Sequence, residues 1–152
     1  MIRAFAAGFA LAVLAATAAA KDVREIRFAP GGSCATVSGA VVRGTRDMYS
    51  FSARKGQRAE IVVSAVESNA AITVWRPGAR LGSTDEDDIQ GDTLPGAGEG
   101  QDATHWRGPL PDTGRYLIVV GPTRGNATYE LRLGIGTQAS KPPASAASLP
   151  PR

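Results

Sequence analysis

The sequence has only one cysteine, Cys34, among its 152 residues. A single cysteine excludes a disulfide within the chain, so the folded state must be stabilised by its core. Two alternatives for the thiol stay open here. Cys34 is buried as a small hydrophobic side chain, or it is free to pair between molecules. The ordered part of the chain, about 115 residues, is long enough to form one such core.

Histidine is equally scarce, since His105 is the only one. For catalysis by a thiol nucleophile, the only available pair is Cys34 with His105 as its base. A nominal triad would join Ser33 and His105 to one of two carboxylates, Asp102 or Asp112, but no nucleophile elbow surrounds that serine. A zinc site is not expected, because soft ligands are so few. The sequence therefore predicts a protein that is not an enzyme and that carries no cofactor.

No run of basic residues is present. The chain has 17 Lys and Arg against 14 Asp and Glu, and the cations are scattered singly along the predicted strands. Removing the first twenty residues takes away only Arg3, which leaves 16 minus 14, or +2. A nucleic-acid partner needs a basic patch that can follow a phosphate backbone. The sequence therefore predicts no nucleic-acid binding, although its pI is about 9.4.

The one long apolar run lies at the start of the chain and is typical of a signal peptide. Arg3 precedes residues 4–20, which are apolar apart from Thr17 and end in Ala18-x-Ala20. These 17 residues are fewer than the roughly 20 that a membrane-spanning helix needs. We therefore expect residues 1–20 to be a cleaved signal, with cleavage after Ala20, and a periplasmic or secreted protein without stable membrane insertion.

Short alternating segments follow at regular spacing. Apolar and polar residues alternate with period two, as in strands with one buried face, while no stretch keeps a 3.6-residue period. The predicted strands cover residues 23–29, 35–43, 47–54, 58–66, 71–75, 106–110, 115–121 and 128–135. About eight such strands predict a single all-β, antiparallel, jelly-roll-like sandwich over residues 21–136. The predicted inward residues are Tyr49, Phe51, Ile61, Val63, Tyr116, Ile118, Val120, Leu131 and Leu133.

Two segments interrupt this pattern. Residues 82–104 are rich in Gly and acidic residues and contain no Lys or Arg, which predicts a long, solvated, mobile loop. Clustered carboxylates suggest calcium, for which the weak candidates are Asp85, Asp87 and Asp88. Their spacing departs from an EF-hand loop, so we expect no metal there. Residues 137–152 are mostly Pro, Ala and Ser, a composition that predicts a disordered tail.

A series of short motifs runs through the strands and turns. They are Ile26-Arg27-Phe28-Ala29, Ala35-Thr36-Val37-Ser38-Gly39, Tyr49-Ser50-Phe51, Ala53-Arg54-Lys55-Gly56-Gln57, Pro77-Gly78, Leu110-Pro111-Asp112-Thr113-Gly114-Arg115-Tyr116 and Thr123-Arg124. In this order they resemble the periplasmic inhibitors of g-type lysozyme, over nearly all of residues 24–135. That family shares its sandwich with the bacterial pre-peptidase C-terminal domains, so the motifs specify the fold better than the function.

The resemblance implies a stoichiometric inhibitor whose partner is a g-type lysozyme and whose surface loops block the muramidase cleft. The family places an arginine in the loop before its last strand, which Arg124 matches, with Thr123 beside it. The other implied binding loop contains Thr45 and Arg46. An alternative is a non-catalytic binding module for a protein, glycan or cation, like the pre-peptidase C-terminal domains. The short loop after Arg124 and the acidic segment favour that alternative.

Overall fold

The computed structural model describes residues 22–82 and 88–136. The expected signal peptide (1–20) and the expected disordered tail (137–152) lie outside the described residues. The strands are β1 (Val23–Glu25), β2 (Cys34–Val41), β3 (Asp47–Ala53), β4 (Arg58–Ala65), β5 (Ala70–Trp75), β6 (Arg80–Leu81), β7 (Ile89–Gln90), β8 (His105–Pro109), β9 (Gly114–Pro122) and β10 (Ala127–Gly136). Within the described ranges, no helix is long and apolar enough to cross a membrane.

Eight of the strands form two four-stranded sheets, in the orders β1-β3-β9-β5 and β2-β10-β4-β8. Successive strands of the sandwich alternate between the two sheets, so their connections cross from one layer to the other. Neighbouring strands are antiparallel, except that β1 runs parallel to β3 with Arg24 opposite Tyr49. The predicted all-β sandwich is confirmed. Its parallel edge strand was not foreseen, because side-chain alternation carries no information on strand direction.

One hydrophobic core fills the space between the sheets. All nine predicted inward residues are buried in it, each less than 5% exposed. The ring of Tyr116 stacks on that of Phe51, with centroids 5.2 Å apart and an interplanar angle of 14°. The Tyr116 hydroxyl donates to the Asp112 carbonyl at 2.8 Å and accepts the Asp112 backbone N–H at 3.0 Å. This tyrosine therefore fixes the turn between β8 and β9 to the core.

A smaller apolar cluster covers the outer face of the first sheet. Ile89, in the β6–β7 hairpin, packs there with Met48, Trp75 and Val119. The hairpin was missed by the sequence analysis, because strands of two residues show no period. The hairpin therefore covers part of the outer face of the first sheet, in addition to the inner face that the core buries.

The acidic segment differs from the solvated loop that was expected. Leu94 and Ala97 are at most 1% exposed, and both belong to the main core. The backbone N–H of Leu94 donates to the Val74 carbonyl at 2.8 Å, and the N–H of Val74 donates to the Ala97 carbonyl at 2.9 Å. The expectation of a wholly solvated loop is therefore wrong for residues 88–104. Two buried apolar side chains, Leu94 and Ala97, hold this part of the acidic segment against β5.

The structure also decides between the two alternatives given above for the Cys34 thiol. Of the two alternatives, burial as a small hydrophobic side chain is wrong, because the thiol is free and exposed. The reason is strand register. The inward side of β2 is taken by Ala35, Val37 and Gly39, so Cys34 lies on the solvent side with Thr36. The thiol is at the start of β2, opposite Gly134 of β10.

Candidate binding surface

Three loops meet at one end of the sandwich, and we call this surface the loop end. It consists of residues 42–46 between β2 and β3, residues 66–69 between β4 and β5, and residues 123–126 between β9 and β10. Strand register brings the loops together, because Val41 lies opposite Ala127 and Ala70 lies opposite Pro122. The two loops that carry the predicted site residues therefore lie at the same end.

Buried Asn69 joins the loop at 66–69 to the loop at 123–126. Asn69 is only 2% exposed. Its side-chain amide donates to the carbonyls of Asn126 at 2.7 Å and Arg124 at 3.2 Å, and its own carbonyl accepts the Thr123 N–H at 2.8 Å. A buried amide with its partners in place holds a backbone rigidly. Sequence analysis missed Asn69, because an asparagine between two strands signals only a turn.

Arg124 lies at the exposed tip of its loop. One guanidinium nitrogen, Nη2, donates to the backbone carbonyl of Glu67 at 2.8 Å, so the side chain lies across the neighbouring loop. Gly125 follows with φ of +60°, a left-handed conformation that suits glycine at this reversal. Arginine has five N–H donors, and no ion pair joins Arg124 to a carboxylate in the part of the chain that the structure describes. Most of its donors are therefore available to a partner.

Arg46 and Thr123 line one groove beside this tip. The groove has a volume of about 360 Å³, and its other polar walls come from Thr73, Glu99 and Asp102. Nη1 of Arg46 lies 3.7 Å from Oε1 of Glu99, and these side chains are 40% and 58% exposed. Such an exposed pair is weak and exchangeable. The acidic segment therefore supplies one wall of the groove and a resident partner for Arg46.

Thr45 has a local structural role. Its hydroxyl donates to the Val42 carbonyl at 2.9 Å and accepts the Val42 N–H at 3.2 Å, which closes a turn that contains Gly44 at φ of +83°. The structure thus brings Arg46 and Thr123 into one groove. Arg124 does not line that groove, and the Thr45 hydroxyl is occupied within its own loop.

Asp47 anchors the loop end to the core from below. Its carboxylate accepts the phenol hydrogen of Tyr129 and pairs with Arg24 at 3.0 Å. The hydroxyls of Tyr129 and Tyr49 are 2.7 Å apart, and the Arg24 guanidinium carbon lies 4.6 Å from the centre of the Tyr49 ring. Burial, followed by the hydrogen bonds to Asp47 and Tyr49, raises the pKa of Tyr129 far above its ordinary value. The phenol stays protonated and joins the two sheets directly under the loops.

The loop end also carries apolar and cationic side chains that sequence analysis did not select. Val66 is 96% exposed and Val42 is 55% exposed. Arg43 is exposed as well, and its backbone N–H donates to Oδ1 of Asn126 at 2.9 Å. A valine at a strand end reads as a strand residue in the sequence, so its exposure could be found only from the register of the neighbouring strands.

The described ranges contain no group of three or more His, Cys, Asp or Glu that could hold a metal ion. Of the weak calcium candidates, Asp88 is exposed, whereas Asp85 and Asp87 lie outside the described residues. His105, on edge strand β8, pairs with Glu60 at 3.1 Å and makes no contact with the nominal nucleophiles described above.

No protein-family model matches the chain, and no curated protein matches it. Solved structures do. PliG of Aeromonas hydrophila, a periplasmic lysozyme inhibitor of g-type lysozyme, matches with a TM-score of 0.57 and 25% identity, over 75% of this chain and 96% of that one. The chain has the fold of PliG. PliG of Salmonella Typhimurium shares it, with a TM-score of 0.52, 22% identity and coverage of 74% and 96%.

A mutant of the Escherichia coli PliG gives the same result, with a TM-score of 0.52, 24% identity and coverage of 77% of this chain and 100% of that one. The resemblance predicted from the motifs is therefore confirmed. In this PliG fold the loop end is formed by three connections that cross between the sheets, and the predicted residues Arg46, Thr123 and Arg124 are all exposed there.

Proposed function

We propose that the chain is a proteinaceous inhibitor of g-type lysozyme, which blocks the muramidase cleft with the loop end. The observation that carries this proposal is the similarity to PliG of Aeromonas hydrophila, which extends over 96% of that inhibitor at 25% identity. Among residues 22–82 and 88–136, no group of three or more His, Cys, Asp or Glu could hold a metal ion. The protein acts by occupying a site, and it needs no cofactor.

Arg124 is the principal contact in this mechanism. Glycoside hydrolases of this kind act through carboxyl groups in a cleft, and a guanidinium forms short, charge-assisted, often bidentate bonds with a carboxylate. The bond from Arg124 to the Glu67 carbonyl holds the side chain on the loop end and uses one donor. The guanidinium edge that remains can meet a carboxylate without first being ordered, which lowers the entropic cost of binding.

Arg46, Thr123 and Thr45 support that contact. Arg46 exchanges its exposed pair with Glu99 for an acidic group of the enzyme, and Thr123 gives the same groove a hydroxyl. Thr45 acts through the backbone turn that it closes. These loops exclude water from the cleft around Arg124, and the ring of weaker contacts strengthens the central one.

The proposed function also requires that the chain be exported from the cytoplasm. An inhibitor of lysozyme is useful where lysozyme meets the cell wall, and the apolar run that ends at Ala20 directs the chain there. N-terminal sequencing of protein recovered from the periplasm should start at Lys21. An intact Met1 on a membrane-bound product would contradict cleavage and periplasmic release.

Lysis of cell-wall substrate by a g-type lysozyme is the direct test. Micromolar folded protein should slow this lysis and should leave a c-type lysozyme unaffected. Equal protection against both enzymes would point to binding of the glycan substrate. Absence of any inhibition would reject the proposal in favour of the pre-peptidase C-terminal-like binding module.

A further inference from the structure

We propose that Val66 is an apolar anchor of the loop end, and that it enters a nonpolar part of the lysozyme cleft beside the carboxylate that Arg124 meets. Val42 supports it from the other side of β10. This inference rests on the proposed function and adds residues that decide how tightly the same surface binds.

Val66 is held outward by a rigid turn. It follows β4 directly and is 96% exposed, while the N–H of Ser68 closes the turn to the Ala65 carbonyl at 2.9 Å. Ser68 has φ of +50°, and the next residue, Asn69, is buried with its hydrogen bonds made. Single exposed apolar residues are common and need no explanation. This one has its backbone fixed on both sides, so little ordering is needed when it becomes buried.

Val66 lies next to the residue that the Arg124 side chain contacts. The Arg124 guanidinium donates to the carbonyl of Glu67, the residue next to Val66. An apolar side chain and a guanidinium therefore project from one tip. Arginines are enriched in binding hot spots, and the contacts that surround a hot spot exclude water from it.

Val42 lies on the other side of the same tip. Strand β10 has β4 on one side and β2 on the other, with Tyr129 opposite both Ala65 and Gly39. The residues that follow β4 and β2, Val66 and Val42, therefore flank the start of β10. Three large hydrophobic residues are exposed in the described ranges, and two of them are this pair.

The occupant is the cleft of a g-type lysozyme, because the charges and the exposed apolar residues of the loop end fit one. Arg43, Arg46 and Arg124 give the loop end an excess of positive charge, which complements the carboxyl groups of a muramidase cleft. Enzyme clefts are lined largely by apolar side chains, with a few polar groups among them. The arginines of the loop end match the carboxyl groups of such a cleft, and its exposed valines match the apolar lining.

The experiment measures the dissociation constant of a g-type lysozyme complex for wild type, Val66→Thr and Val66→Asp. Threonine keeps the shape of valine and replaces one of its methyl groups with a hydroxyl, and aspartate adds a charge that the acidic cleft repels. We expect Val66→Thr to weaken binding about tenfold to a hundredfold, as burial of a hydroxyl without a hydrogen-bond partner does, and Val66→Asp to weaken it further. Leu81→Thr, at the third exposed hydrophobic residue, is the matched control and should bind as wild type does.

Thermal unfolding separates binding from folding, because a residue that is 96% exposed should leave the melting temperature nearly unchanged. Tight binding by wild type together with unchanged binding by both Val66 variants would overturn the inference and leave the proposed function intact. Absence of binding by folded wild type would overturn the proposed function, and the inference with it.

Discussion

The side chain of Tyr129 lies across Gly39, its cross-strand partner on β2. A Cβ atom at Gly39 would overlap the Tyr129 phenol, with 2.6 Å to its Cζ atom and 2.9 Å to Oδ2 of Asp47. Glycine is therefore required here by the close approach of a neighbouring side chain. The space it leaves allows Tyr129 to reach Asp47 and Tyr49, and so to join the two sheets under the loop end.

Gly39→Ala should destabilise the protein by about 1 to 3 kcal/mol, because overpacking at this contact displaces the Tyr129 ring. A urea titration measures the free energy of unfolding. Gly136→Ala is the control, since a Cβ there meets nothing within 4 Å. Equal stability of the two variants would show that Tyr129 does not depend on Gly39 for its position.

Ile118→Ala should lower the free energy of unfolding by about 2 to 5 kcal/mol, because it leaves a cavity in the middle of β9. Ile118 is 0% exposed. Val66→Ala is the exposed counterpart and should change stability by less than about 0.5 kcal/mol. An unchanged denaturation midpoint for Ile118→Ala would contradict the assignment of the core.

Alkaline pH should destabilise the protein through Tyr129. Its pKa is raised in the folded state, whereas an unfolded tyrosine ionises near pH 10. Its contribution to stability is therefore complete below about pH 10 and is lost as the pH rises above that value, where only the unfolded chain releases the proton. Urea midpoints at about pH 8 and about pH 10.5 should differ less for Tyr129→Phe than for wild type. An identical difference would exclude Tyr129 as a source of the alkaline sensitivity.

Asn69→Ala should destabilise the protein and weaken inhibition together. Removing the amide leaves the carbonyls of Arg124 and Asn126 without a donor, at a cost of about 1 to 3 kcal/mol. Gln90→Ala is the control, because Gln90 is exposed on β7 and lies outside the loop end. In both the urea titration and the lysis assay, Asn69→Ala should lose more than the control variant does. Full inhibition by stable Asn69→Ala would show that the arginine loop does not need this support.

Arg124→Ala should weaken binding to g-type lysozyme by about thirtyfold to a thousandfold, as truncation of a central interface arginine does at about 2 to 4 kcal/mol. Arg46→Ala should have a smaller effect, and added salt should weaken binding by screening the exposed arginines. Arg58→Ala, at the far end of β4, is the matched control and should bind normally. Inhibition that survives Arg124→Ala would keep the function and reject the site.

The sequence predicts the sandwich well because each long strand buries one face. Period-two alternation in segments such as 58–65 and 127–136 specifies which residues point inward, and the structure follows it closely. Strand direction leaves no trace in that alternation, so parallel β1 was not foreseen. The exposure of Cys34 follows from the register between β2 and β10, which also has no local signal.

The candidate site was only partly predictable. The motif around Arg124 located one loop by resemblance, and the position of Arg46 between two strands located another. Asn69 and Val66 were missed because their importance comes from neighbours distant in sequence. Asn69 bonds residues 124 and 126, and Val66 precedes Glu67, whose carbonyl accepts a hydrogen bond from Arg124. Contacts between loops depend on tertiary packing, which local residue patterns do not encode.

The acidic segment has a consequence for how copies of this chain meet one another. It runs along the outer side of β5, with isolated bridges from Ile72 to Ala103 and from Trp75 to Thr93. A bare edge strand offers unpaired peptide groups to any other strand and so invites aggregation. Here the segment occupies those groups, and Asp92, Glu99 and Asp102 give its exposed side a negative charge. The acidic segment thus terminates the sheet at β5, and its negative charge repels the same edge of a second copy.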